Sequence, residues 1–269
     1  MRIGAVNYLN SKPLVYGLEP SATGHRLLFD LPSRLADSLS TGRLDVALIP
    51  SVEFFRSPDY TIVSDACVAC RGPVRSVKLH FRVPPQRVTR IALDEGSRTS
   101  AALALILLRE LAGVTPQRES LPIGCGAHDT DADAVLLIGD RAMQPVDGSF
   151  VEAWDLGERW QEWTGLPFVF AMWVARAGVD TAAVADALAA ARDRGVTALA
   201  EIAEREAPPL GITAKSALSY LRDNLHFTLG DQELRGLRRF YELCVEGGFV
   251  PGNFDTTWDQ FYAHGCTDS

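Results

Sequence analysis

Three short polar stretches carry the side chains whose types and spacing suit chemistry on a small ligand. The first is the loop Asn7-Tyr8-Leu9-Asn10-Ser11, between the apolar run Ile3–Val6 and Pro13. An asparagine both donates and accepts, so Asn10 can meet a polar ligand without carrying charge. Equally, Asn10 can serve as the cap of a helix opening at Pro13, where a missing N–H costs nothing. The second stretch is Gly96-Ser97-Arg98-Thr99-Ser100, leading into a strongly apolar segment from Ala101 to about Leu111. Ser97 or Thr99 can cap that helix, and its free first-turn N–H groups with hydroxyls around them suit a carboxylate or phosphate. Arg98 can add a bidentate contact or point to solvent. The third is Gly139-Asp140, closing the apolar run Ala134–Ile138. Asp140 is expected to cap the next helix, with the cleft as its alternative.

Other combinations carry less. Cys67 and Cys70 lie three apart in a strand-like run, so their side chains point to opposite faces, and no second ligand pair lies nearby to complete a zinc site. Core thiols are the expectation, and a metal is not. Of the histidines, only His80 and His128 fall near expected cleft positions, and both read as surface residues. No serine-histidine-aspartate arrangement and no pair of carboxylates stands out. The net charge of −8 disfavours nucleic acid and, more weakly, an anionic membrane surface. It leaves room for an anionic ligand held by oriented N–H groups. The odd count of five cysteines suggests reduced thiols and a cytoplasmic protein. The first residues show no apolar secretory segment, and no run reaches membrane-spanning length. Oligomeric state is not legible.

The elements that must position these stretches follow from periodicity. Ile3–Val6, Leu27–Phe29 and Asp45–Ile49 read as strands, with a helix from Pro32 ended by Gly42. This strand–helix–strand order implies a parallel sheet covered by helices. Tyr60–Ala69 is strand-like. In the next run Val77, Leu79 and Phe81 share one face, while Ser76, Lys78 and His80 share the other. Ser76 therefore faces solvent on an edge strand or looks into a cleft. Pro84-Pro85 reads as a crossover into a second unit containing strands Arg90–Leu93, Ala134–Ile138 and Val151–Trp154. The aromatic run Phe168, Phe170, Trp173 reads as core and as a second crossover. Helices follow, and the residues after Gly252 read as a wrapping tail.

The expected organisation is residues 1–86 as the first part of lobe 1, 87–175 as lobe 2, and 176–269 as a helical return to lobe 1. In open α/β sheets ligands sit beyond the carboxyl ends of the strands, which is where all three polar stretches fall. This plan resembles a type II periplasmic-binding-protein-like fold: two α/β lobes with a ligand cleft between them and hinge closure as the expected motion.

A closer resemblance rests on motifs in one order. They are Tyr8-Leu9-Asn10-Ser11-Lys12-Pro13-Leu14, Asp45-Val46-Ala47-Leu48-Ile49-Pro50, Gly72-Pro73-Val74-Arg75-Ser76-Val77-Lys78-Leu79, Ser97-Arg98-Thr99-Ser100, Leu137-Ile138-Gly139-Asp140 and Trp163-Thr164-Gly165-Leu166-Pro167-Phe168. From the first strand to about Trp173 the chain resembles the chorismate dehydratases of the futalosine route to menaquinone. The resemblance implies a hydro-lyase converting chorismate to 3-[(1-carboxyvinyl)oxy]benzoate and water, without metal or organic cofactor. It implies Asn10 and Ser76 as active-site residues. It implies that the Ser97–Ser100 turn, with Arg98 and Thr99, holds a substrate carboxylate; Gly139 and Asp140, at the carboxyl end of a strand, are counted with the substrate-binding candidates. The basic run Lys78, His80, Arg82 is a departure that bears on the surroundings of Ser76. Two other functions fit the same plan: a non-catalytic binding protein for a small carboxylate, and the related naphthoate synthase, for which a histidine base is expected.

Overall fold

The computed structural model describes residues 1–18, 25–146 and 148–252. The expected tail after Gly252, with Cys266, lies outside the described residues. The chain begins with β1 (Arg2–Val6), a 3-10 helix (Leu9–Val15), β2 (Arg26–Asp30), α1 (Pro32–Ser40), β3 (Val46–Pro50), α2 (Ser51–Phe54) and β4 (Thr61–Cys70). It then forms β5 (Val77–Phe81), β6 (Arg90–Asp94), α3 (Arg98–Leu107), β7 (Gln117–Leu121), β8 (Ala134–Ile138), β9 (Glu152–Asp155) and α4 (Leu156–Thr164). The last part is β10 (Phe168–Ala175), α5 (Ala182–Thr197), α6 (Leu199–Glu206), α7 (Ala214–Ser219), β11 (His226–Thr228) and α8 (Asp231–Glu246).

Two mixed sheets result, in the orders β11-β4-β10-β3-β1-β2 and β7-β6-β8-β5-β9. β1 is parallel to β2 and β3, as the strand–helix–strand spacing implies; β10 then inserts antiparallel between β3 and β4. In the second sheet β6 is parallel to β7 and β8, while β5 runs antiparallel between β8 and β9.

The crossings differ from the sequence expectation. Val77–Phe81 was expected in the first unit but pairs on both sides within the second sheet, so the chain changes sheets between Cys70 and Val77, not at Pro84-Pro85. Alternation alone cannot say which sheet a strand joins. The return falls before Phe168, because β10 belongs wholly to the first sheet. β5 is accordingly no edge strand, and the solvent-facing reading of Ser76 fails. The polar face of β5, with Arg82, packs on residues 127–132 and Phe150. The Arg82 guanidinium donates to the carbonyls of Ala127, Thr130 and Ala132, and buried His80 lies 5.2 Å from the Phe150 ring. The basic run thus stays out of the cleft, and His80 is not a surface residue, whereas His128 is exposed.

The helical return packs on the first sheet and on the first loop. α5 crosses the Leu9–Val15 helix so closely that a Cβ at Gly195 would lie 2.0 Å from the Pro13 carbonyl oxygen. Glycine is required there for space. Overpacking of this kind costs about 1–3 kcal/mol. Gly195→Ala is expected to lose about that much stability in denaturant unfolding; an unchanged midpoint would show that the two elements separate freely.

Candidate functional site

A cavity, partly open to solvent, lies between the two sheets. Its polar wall is Tyr8, Asn10, Ser76, Ser97 and Ser100; its apolar wall includes Val6, Leu48, Val68, Val77, Ile138 and Phe170. Residues from the first loop, the first crossing, the turn before α3 and the end of β8 therefore meet in one space, although they are far apart in sequence. No lining residue carries a formal charge.

The first loop delivers Tyr8 and Asn10 in a way the sequence did not show. The helix begins at Leu9, before Pro13, and it is of the tighter 3-10 type. Asn10 therefore sits inside its first turn and does not cap it. The capping oxygen comes from the other lobe: Asp140 Oδ1 accepts from the Leu9 N–H at 3.2 Å. Asp140 thus caps a helix, but not its own. Ser11 is fully buried and ties the loop down by donating to the Val6 carbonyl at 2.5 Å.

The first crossing delivers Ser76. Asp155 accepts from the backbone N–H of Val74 at 2.9 Å and of Arg75 at 2.6 Å, and from Gly157 and Glu158 at the start of α4. Arg75 takes a left-handed backbone conformation, φ 61°. The Ser76 carbonyl then accepts from Gly139 N–H at 2.8 Å. Gly139 itself has φ 68°, and its Cα lies so close to the Tyr8 ring that a Cβ would stand 3.1 Å from it. Both features call for glycine.

Ser97 caps α3: its Oγ accepts from Ser100 N–H at 3.2 Å and donates to Ser100 Oγ at 2.8 Å. Such a cap contributes about 1 kcal/mol. The preceding loop is set by buried Asp94, which accepts from Gly96 N–H and Ile138 N–H and pairs with Arg141. The first-turn N–H groups of Arg98 and Thr99 have no partner within the helix by position, so the positive end of α3 is turned to the cavity that Ser97 and Ser100 line.

Three expected substrate contacts lie elsewhere. Arg98 reaches back across the lobes to Asp37 at 2.8 Å and Glu53 at 3.1 Å. Thr99 is buried against α2, its Oγ1 accepting from Val52 N–H at 3.2 Å. Asp140 holds Leu9. These side chains join the lobes and do not line the cavity. Phe170 lines it while belonging to the buried core, as the sequence reading expected.

Sequence reasoning missed Tyr8 and Tyr220. Burial, with Asp94 and Asp140 nearby, pushes the Tyr8 phenol up to about 12, so it stays a donor at neutral pH. Tyr220, in the widened helical turn Tyr220–Asn224 that continues α7, is buried and donates to Ser76 Oγ at 2.8 Å. A tyrosine on a helical stripe gives no signal that its hydroxyl has a partner; the short sequence distance of Tyr8 from Asn10 was such a signal.

The arrangement defines a class: a two-lobed binding-protein-like fold with a small-molecule cleft at the strand ends. Solved structures show the same architecture. A protein from Archaeoglobus fulgidus superposes with a TM-score of 0.69 over 93% of this chain and 98% of its own, at 14% identity. The periplasmic aliphatic sulphonate binding protein of Escherichia coli does so with a TM-score of 0.59, at 16% identity, over 96% and 90%. The family model described as menaquinone biosynthesis matches residues 1–246, and the chain belongs to that family. A chorismate dehydratase from Thermus thermophilus is 33% identical over 258 residues, covering 89% of this chain and 93% of that one. One from Campylobacter jejuni is 29% identical over 64% of this chain and 66% of its own.

Burial raises the Asp140 carboxyl above its ordinary value, against the pull of the Leu9 N–H and Lys12. A raised carboxyl favours the fold while protonated, and that contribution is lost as pH climbs from the unfolded value, about 4, through the folded one. Asp140→Asn keeps an acceptor oxygen and removes the titration. Its thermal midpoint should therefore lack the wild-type decline across that window; parallel curves for the two proteins would show that Asp140 does not titrate there.

Proposed function

We propose that this chain is a chorismate dehydratase, a hydro-lyase that converts chorismate to 3-[(1-carboxyvinyl)oxy]benzoate and water in the futalosine route to menaquinone. The observation that carries this reading is the shared cavity that joins Asn10 and Ser76 to the capped tip of α3. Membership of the menaquinone family and the similarity to the Thermus enzyme support it.

The chemistry suits the wall. Chorismate is a dicarboxylate, and its ring loses a hydroxyl and a proton to become aromatic. Aromatisation supplies the driving force, so the site needs to position the ring and stabilise developing charge more than to supply a strong acid or base. The N–H groups at the tip of α3, with Ser97 and Ser100, suit one carboxylate. Asn10 suits the departing hydroxyl or the enolpyruvyl carboxylate, which itself can take the ring proton. Ser76 suits the enolpyruvyl group. The apolar wall suits the ring. Arg98, Thr99 and Asp140 serve the substrate indirectly, by holding the lobes that make the cavity.

The related naphthoate synthase reading calls for a histidine base, and no histidine is among the lining residues. The free cysteines Cys67, Cys70, Cys125 and Cys244 suit a reducing, cytoplasmic setting. Among the described residues no helix is long and apolar enough to cross a membrane.

Incubation of the pure protein with chorismate should remove the diene absorbance and yield the enolpyruvyl benzoate; binding without product would favour a carboxylate-binding role. Asn10→Ala should lower turnover by about 10²–10³-fold, the scale of losing one donor to developing charge, with an unchanged melting temperature. Near-normal turnover in that variant would remove Asn10 from the mechanism.

A further inference from the structure

We propose that Tyr220 is a positioning residue that turns the Ser76 hydroxyl into a hydrogen-bond donor aimed into the cavity; the proposal rests on the reading of the site given above. Tyr220 does not line the cavity. It stands behind it, 1% exposed, with its hydroxyl 2.8 Å from Ser76 Oγ and Asn10 nearby. A phenol has one proton to give. The Tyr220 proton goes to Ser76, so the Tyr220 oxygen is left only to accept. Ser76 already accepts, and among the described residues no acceptor takes its own proton. The cavity is the open direction.

The two side chains then form a line with one sense: Tyr220 O–H to Ser76, Ser76 O–H to the ligand. Hydrogen bonds in such a chain polarise one another. Burial holds the phenol well above its ordinary range, so it keeps the proton it donates. A buried phenol needs a partner for structural reasons alone. Here that partner is the hydroxyl of one cavity-lining side chain, with a second such side chain beside it.

The test is a double-mutant cycle with Tyr220→Phe and Ser76→Ala, read as kcat and KM for chorismate per folded molecule, the folded fraction taken from circular dichroism. Tyr220→Phe removes only the hydroxyl. It should lower kcat by about tenfold, the scale of one hydrogen bond, with KM within about threefold of wild type. In the Ser76→Ala background the same change should alter kcat by less than about twofold, because its route to the substrate is gone. An unchanged kcat in Tyr220→Phe, an effect on KM alone, or losses that multiply in the double variant would each overturn the proposal. Wild-type protein without turnover would instead overturn the functional reading, and this proposal with it.

Discussion

The geometry of the cleft depends on one carboxylate outside it. Asp155 ends β9, caps α4 and accepts from the backbone of Val74 and Arg75, so the segment leaving the first sheet is bound to the segment that returns to it. Arg75 pays for this with a left-handed backbone, which costs a non-glycine residue about 1–3 kcal/mol. Charge-assisted hydrogen bonds from two consecutive N–H groups offset that strain. The next residue is Ser76. With its amide donating to the Val74 carbonyl and its own carbonyl taken by Gly139, Ser76 has no freedom to swing out of the cavity.

The same economy of charge runs through the site. Cations near the cleft are already neutralised: Arg98 by Asp37 and Glu53, Arg141 by Asp94, Lys12 by Glu206. What faces the ligand is a set of uncharged donors and the end of a helix. Side chains that look suited to an anion instead hold the lobes together. Neutral donors in an apolar surround still bind strongly, because the low local dielectric raises the strength of each hydrogen bond. They also leave no fixed counter-charge to resist a shift of electron density within a bound ring.

The polar loops at the strand ends were legible from type and spacing, since a strand, a glycine and a run of hydroxyls before an apolar helix admit few arrangements. Ser97, Ser100 and Gly139 are brought to the strand ends in that way, whereas Asn10 stayed open between a helix cap and the cleft; all four lie on the cavity wall. Arg98 was misread because its acidic partners, Asp37 and Glu53, lie far away in sequence and only tertiary contact reveals them. The same holds for Asp140, whose partner Leu9 belongs to the opposite lobe. Pro84-Pro85 is a strong local break, yet the sheet exchange happens at Gly72-Pro73, because strand pairing and not turn strength decides sheet membership. Tyr220 was invisible: burial of its ring fits any helical stripe, and nothing local records where a hydroxyl 144 residues from its partner will end. The family resemblance reached Ser76, which alternation alone left open.

The close passage of α5 over Pro13 has a bearing on how the molecule is made. The opening loop is synthesised well before the glycine face that seats it, and Tyr220 comes later still. Until then the opening loop of the first lobe is without its support. An arrested or truncated chain ending before Gly195 therefore presents an unfinished first lobe to chaperones and proteases, and quality control can act before any ligand is recognised.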